Sequence, residues 1–296
     1  MNLVRSIVHA QVAYENGFYG DQIGIAIVDS GITPHPDYRD RIIGWYDTIH
    51  NRKQPYDDNG HGSHVAGIAA GNGLISYGQY QGIAPKANII GIKVLNEQGN
   101  GSVADILKAL RWIRQYHKQF GIQIVNISIG ANDEQSFQED CSLVQKVNEL
   151  WDMGIVVVAA AGNHGPAPYT ISAPGNSRKI ITVGSIHNTN IAEPTHSGTG
   201  PTRSCIKKPD VVAPGSQIIS CCPPNRNGRY SYSRKSGTSM ATPVISGALA
   251  LLLSKYPDLS PREIKIRLKN SSTDLHLPHE RQGWGLLHIG HLLYDR

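Results

Sequence analysis

Short, nearly continuous β-branched runs alternate along this chain with helical patterns. The runs fall at 23–28, 89–94, 122–127, 155–160, 180–183 and 210–212. The helical patterns fall at 61–70, 103–116, 140–152, 239–255 and 260–270. A strand that shows one face to water alternates apolar and polar residues, whereas a strand covered on both faces reads as an apolar run. Such runs separated by helices predict an α/β fold: three layers, α/β/α, around a mostly parallel central sheet. Ser260, Pro261 and Glu263 supply an N-cap, a first-turn proline and a capping-box acid for the last of these helices. The longest apolar run, 248–253, is too short to span a bilayer and reads as a buried helix segment. With 40% hydrophobic residues, 31 glycines, and no repeat, linker or low-complexity tract, residues 1–296 read as one domain.

Three small-residue segments each present one reactive group. They are Val28-Asp29-Ser30-Gly31, His61-Gly62-Ser63-His64-Val65-Ala66-Gly67 and Gly237-Thr238-Ser239-Met240-Ala241-Thr242-Pro243. Together they offer an acid, an imidazole and a hydroxyl, the parts of a nucleophilic acyl-transfer site. Asp29 ends an apolar strand, at the sheet edge where open α/β folds place their ligands. Ser239 opens an apolar helix, whose amino end puts amide groups and positive potential beside a nucleophile. Position 241 is Ala, so this is not the Gly-x-Ser-x-Gly elbow. Each group alone has a plainer reading: a turn aspartate, a satisfied core histidine, an N-capping serine. His61 and His64 lie three apart, nearly on one helical face, and both compete for the base.

These segments resemble the signature blocks of the subtilisin-like serine protease family, the subtilases. Further blocks follow in the same order: Gly82-Ile83-Ala84-Pro85, Lys93-Val94-Leu95, Asn126-Ile127-Ser128-Ile129-Gly130, Ala160-Ala161-Gly162-Asn163, Ala173-Pro174-Gly175, Val212-Ala213-Pro214-Gly215 and Gly283-Trp284-Gly285-Leu286. The similarity runs from about residue 23 to about residue 289. It implies a subtilisin-like sheet and a serine endopeptidase that works through an acyl-enzyme on Ser239. His61 would be the general base, Asp29 its orienting acid and Asn163 a donor in the oxyanion hole. His64 would be a buried structural histidine. Ser128, Ile129 and Gly130 would pair with an extended substrate backbone. Ala160, Gly162 and Ser172 would shape the pocket before the scissile bond, and Val103 with Ile129 a second apolar pocket. His164, beside Asn163, suggests tolerance of acidic side chains in the first pocket. Gly62 and Gly237 would let the backbone come close to substrate and nucleophile.

Many subtilases bind calcium, and Asp37 matches one liganding position. The loop 71–80 is longer than the family pattern and lacks carboxylates, so no metal and no required cofactor are expected. Asp57 and Asp58 read as loop acids near the cleft. The net charge of +5, concentrated at Lys207-Lys208 and along 226–235, reads as solvated loops, with no nucleic-acid motif. Cys141, Cys205, Cys221 and Cys222 show no zinc spacing and fit a reducing compartment. Bridges from Cys205 to Cys221 or Cys222 stay open. The amino terminus shows no signal peptide and no prodomain, which points to a cytoplasmic protein, with secretion of a trimmed chain as the alternative. The expected partner is an extended peptide or protein, met by a monomer without membrane or nucleic-acid contact. A specialised leader-peptide or propeptide processing protease is a narrower reading. An inactive fold that only binds peptides is a rival of another class.

Overall fold

A computed structural model of the chain describes residues 1–130, 141–190, 193 and 195–294. Seven strands form one parallel sheet: β1 (Gly24–Asp29), β2 (Ile42–Asp47), β3 (Asn88–Lys93), β4 (Ile122–Ile127), β5 (Val156–Ala160), β6 (Ile181–Ile186) and β7 (Val211–Pro214). Their spatial order is β2-β3-β1-β4-β5-β6-β7, so the winding reverses around β1. Ligands of open α/β sheets bind at the carboxyl ends of strands beside such a reversal. The strands β8 (Ile218–Cys222) and β9 (Ser231–Lys235) form a separate antiparallel hairpin.

Helices α1 (Asn2–Ile7) and α2 (Gln11–Glu15) precede β1. Helices α3 (His61–Ala70) and α6 (Thr238–Lys255) cover one face of the sheet and pack on each other. Helices α4 (Val103–Tyr116) and α5 (Ser142–Asp152) cover the other. The chain closes with α7 (Pro261–Ser271), α8 (His279–Gln282) and α9 (Ile289–Tyr294). The result is the three-layer arrangement that the alternating runs predict. Residue 140, given above as the start of the α5 pattern, lies outside the described residues.

Local chemistry explains the helix limits. The Ser102 hydroxyl accepts from the Asp105 amide at the start of α4, which buries Ile106, Ala109, Leu110 and Ile113 on one stripe. In α7 the Ser260 hydroxyl accepts from the Glu263 amide at 3.3 Å, and Glu263 accepts from the Ser260 amide at 2.8 Å. α6 has no polar stripe because it is buried all round: Leu249, Leu251 and Leu252 are fully buried. Truncating one such leucine to alanine costs about 2–5 kcal/mol.

Two expectations change. The 226–235 stretch is not a plain solvated loop, since Ser231–Lys235 is strand β9. Lys208 is not solvated either. It is buried and donates to Asp210 at 2.5 Å and to the Ile180 carbonyl at 2.9 Å, so its charge is met inside the fold. None of the four cysteines is in a disulfide. Among the described residues, no helix is long and apolar enough to cross a membrane.

Candidate active site

β1 delivers Asp29 to the carboxyl edge of the sheet, fully buried. Its Oδ1 accepts from the Ser30 amide at 2.7 Å and lies 2.7 Å from His61 Nδ1. Nδ1 therefore carries the hydrogen, and Nε2 is left with its lone pair free to accept a proton. His61 opens α3, and its position depends on how that helix is started. The N-cap Gly60 has no side chain to offer. Asp57 takes over: its carboxylate accepts from the amides of Asn59 (3.2 Å), Gly60 (2.7 Å) and Ser63 (2.8 Å), from Ser63 Oγ (2.7 Å) and from Ser30 Oγ (2.9 Å). A buried anion at a helix amino end satisfies orphan amides and meets the positive end of the dipole. Asp57 is thus a structural anchor between the Asp29 turn and the His61 helix, not a loop acid at the cleft. Asp58 is tied down as well, accepting from the buried Lys93 ammonium at 2.6 Å, while Lys93 also donates to the carbonyls of Ser30 and Leu95 at 2.7 Å.

The two histidines separate cleanly. His61 remains partly exposed and lines the cleft. Burial pushes its pKa down, but the charge of Asp29 and its hydrogen bond outweigh that, so the net shift is upward. His64 is fully buried, with Nε2 3.1 Å from the carbonyls of both Ile218 and Ser233. Burial lowers its pKa to about 3, against the pull of the Ser233 carbonyl. It is a neutral strut that binds α3 to the β8–β9 hairpin. Gly62 serves the same junction. A Cβ there would lie 2.0 Å from the Gly31 carbonyl oxygen, so this glycine admits backbone, not substrate.

α6 presents Ser239 in its first turn, nearly buried but lining the cleft. Its Oγ donates to the Ser128 carbonyl at 2.7 Å. To donate to His61 Nε2 this hydroxyl must leave the Ser128 carbonyl, and such hydrogen bonds often tighten only with substrate present. Asn163 Oδ1 accepts from the Thr238 amide at 3.0 Å and the Thr238 hydroxyl at 3.1 Å, which leaves Nδ2 as its donating end. Gly237, at φ +140°, would bring a Cβ to 3.2 Å from Asn163 Nδ2, so its bareness makes room for this amide.

One cleft of about 430 Å³ gathers these groups. His61, Ser239 and Asn163 line it, as do Ser128, Ile129, Gly130, Ala160, Gly162, Ser172 and Val103, with Asp29 buried behind His61. Asn59, Leu95 and Ile106 also line it, and the sequence reading did not single them out. Gly162 has φ +97°, and a Cβ would sit 2.2 Å from Ser172 Oγ, so this wall accepts only glycine.

The surroundings of Asp37 do not suit calcium. That ion needs several inward-facing oxygens. Here the carboxylate meets donors instead: the Ile75 amide at 3.3 Å, the Tyr232 hydroxyl at 2.8 Å and the Cys221 thiol at 3.5 Å. Loop carbonyls are taken by guanidinium groups. Arg5 donates to Gly78 at 3.1 Å and Gln81 at 3.2 Å, and Arg41 to Asp37 at 2.7 Å and Ala70 at 2.6 Å. His35, Asp37 and Cys221 bring three metal-capable atoms within 4.8 Å. His35 Nδ1 already accepts from the Asp37 amide at 3.2 Å, and burial raises the Cys221 pKa well above its usual range.

Comparison with known proteins agrees with this geometry. The subtilase family pattern matches residues 20–285. The chain is 44% identical over 285 residues to serine protease AprX of Bacillus subtilis (strain 168), an alignment covering 89% of this chain and 64% of AprX. It is 36% identical over 272 residues to subtilisin Savinase of Lederbergia lenta, covering 91% of this chain and 90% of that protein. Among solved structures, Sphericase superposes with a TM-score of 0.79 at 28% identity, covering 95% of this chain and 97% of the other. A cold adapted subtilisin-like serine proteinase gives a TM-score of 0.75 at 27% identity, covering 92% and 90%. The chain belongs to the subtilase family of serine proteases.

Proposed function

We propose that this protein hydrolyses internal peptide bonds of extended polypeptides through an acyl-enzyme on Ser239. The 2.7 Å contact between Asp29 Oδ1 and His61 Nδ1, with Ser239 on the same cleft, carries the reading. Asp29 holds the tautomer in which His61 Nε2 can take a proton, and it stabilises the imidazolium that forms. Ser239 Oγ leaves the Ser128 carbonyl, loses its proton to Nε2 and attacks the scissile carbonyl. The developing oxyanion meets Asn163 Nδ2 and the Ser239 amide. His61 returns the proton to the leaving amine, and water then repeats the sequence to free the acid product.

Ser128 to Gly130 offer backbone for β-type pairing with the substrate. The first pocket, walled by Ala160, Gly162 and Ser172, favours sizeable side chains, and His164 at its rim extends this to acidic ones. Leu95, Val103, Ile106 and Ile129 favour an apolar residue further along. A single copy carries the acid, the imidazole, the hydroxyl and the oxyanion donor, so the proposed reaction needs no partner subunit. The absence of disulfides among the four cysteines supports a cytoplasmic setting. Mass spectrometry of products from casein and a broad peptide pool tests the reading. Internal cleavage after a restricted set of residues is expected. No cleavage, or removal of terminal residues only, would overturn it.

A further inference from the structure

The amino ends of the sheet strands, opposite the catalytic edge, hold a second concave surface. Two hollows of about 470 and 640 Å³ share Arg178, Lys265, Lys269 and Trp284 and so form one groove. Seven Lys/Arg side chains line it against two carboxylates, Asp152 and Asp210. Burial lowers the Lys208 pKa to about 7, so near neutral pH the groove carries an excess of four to five positive charges.

Both carboxylates are already spent. Asp152 accepts from Lys179 at 2.7 Å. Asp210 accepts from Lys208 at 2.5 Å and pairs with Lys265 at 3.2 Å. Lys207, Arg262 and Lys269 are exposed and make no ion pair among the described residues. Arg262, Lys265 and Lys269 follow a three- and four-residue spacing and form one stripe along α7. From 262 to 269 the stripe spans about 10 Å. An extended chain puts every second side chain on one face, about 7 Å apart, so alternate acidic residues can run along this stripe.

The groove also has two indole rings, Trp151 and Trp284, yet it does not offer them for base stacking. The Lys265 ammonium lies 6.0 Å from one ring centre and 5.8 Å from the other, and Trp151 is only 9% exposed. Single-stranded nucleic acid needs free aromatic faces as well as charge. Carboxylate side chains need the charge alone.

We propose that this groove is an exosite that holds an acidic, extended segment of a polypeptide substrate. The proposal rests on the endopeptidase reading above. A segment bound here lies beyond the length of the sheet strands from Ser239, so the scissile site and the acidic segment must be joined by flexible chain. Tethering then raises the local concentration of the scissile segment at the cleft without any new contact there.

Two measurements test this. The first uses the Ser239→Ala protein and a fluorescent peptide of alternating Glu and Ser, read by anisotropy. Binding is expected, weakening with salt and falling by about ten-fold or more in Arg262→Glu/Lys269→Glu. Unchanged affinity in that variant overturns the proposal, as does binding of a single-stranded oligonucleotide without binding of the acidic peptide. The neutral pair Arg262→Gln/Lys269→Gln, with an unshifted melting temperature, guards against a folding defect and should fall between the two. The second uses the native enzyme and two substrates that share one cleavage sequence, one of them carrying an acidic tail on a Gly/Ser linker of about 20 residues. A several-fold lower KM for the tailed substrate, with equal kcat, is expected, and the charge-reversed variant should erase the difference. Equal KM values overturn the exosite. Cleavage of neither substrate would instead sink the endopeptidase reading, while anisotropy still reads the groove.

Discussion

Replacing Asp57 with asparagine tests how His61 is held. The side chain keeps its shape but loses its charge and one acceptor. Two oxygens now take five donors from Ser30, Asn59, Gly60 and Ser63. The best placement puts the new amide group toward Ser63, whose hydroxyl can turn to accept from it. The Ser63 backbone amide cannot turn, so one buried donor is orphaned. A lost charge-assisted hydrogen bond costs about 1.5–3 kcal/mol. Loss of a buried anion at a helix amino end adds up to about 2 kcal/mol. The expected total is about 2–5 kcal/mol. At about 2–4 °C per kcal/mol for a large domain, Tm should fall by roughly 4–20 °C. Calorimetry in a Ser239→Ala background measures this without self-digestion. In the active form kcat should also fall, because the start of α3 sets where His61 stands. A Tm within about 1 °C of the parent, together with unchanged kcat, would refute the anchoring role.

Further outcomes follow from the same geometry. Because Asp29 holds the His61 pKa above its ordinary value, kcat/KM should decline on acidification through a midpoint above the free imidazole's, about 6.5. Asp29→Asn should lower that midpoint and reduce kcat by about 10⁴-fold, a magnitude measured for triad aspartates including that of subtilisin. The fold's preference for protonated His61 also stabilises it below the unfolded imidazole value, and that contribution is lost as pH rises through the folded pKa. Gly162→Ala should abolish most activity with little loss of secondary structure, since the added methyl meets Ser172 in the pocket wall; near-parental kcat/KM on a peptide substrate would contradict this. EDTA should shift Tm by less than about 1 °C, whereas Arg5→Ala, which frees two loop carbonyls, should cost about 1–3 kcal/mol by chemical denaturation.

Much of this architecture is legible in the residues, for identifiable reasons. α3 and α4 begin and end where the sequence places them, at His61–Ala70 and Val103–Tyr116, because small residues, a capping serine and a clean apolar stripe mark their limits. The central strands are legible because they are buried on both faces. β2 is not, since it is an edge strand with mixed burial that exposes Ile43. β9 hides in a polar, basic stretch whose pairing with β8 is a tertiary event. α1, α2 and α9 are too short to show a period. At the site, the reactive groups stand out by residue type, whereas their supports do not. Asp57 looks like half of a loop Asp-Asp pair, and only the fold reveals the amides converging on it. Lys208 reads as one of two solvated lysines until Asp210 is seen beside it. Choosing between His61 and His64 needs a partner 32 residues away in the chain, which spacing alone cannot supply.

The central claim is that Ser239 is the nucleophile activated by His61. Labelling of the native protein with a fluorophosphonate probe, followed by peptide mapping, tests it most directly. One adduct on Ser239 is expected, absent in Ser239→Ala and strongly slowed in His61→Ala. No adduct on the folded native protein, or labelling that persists in Ser239→Ala, would contradict the assignment.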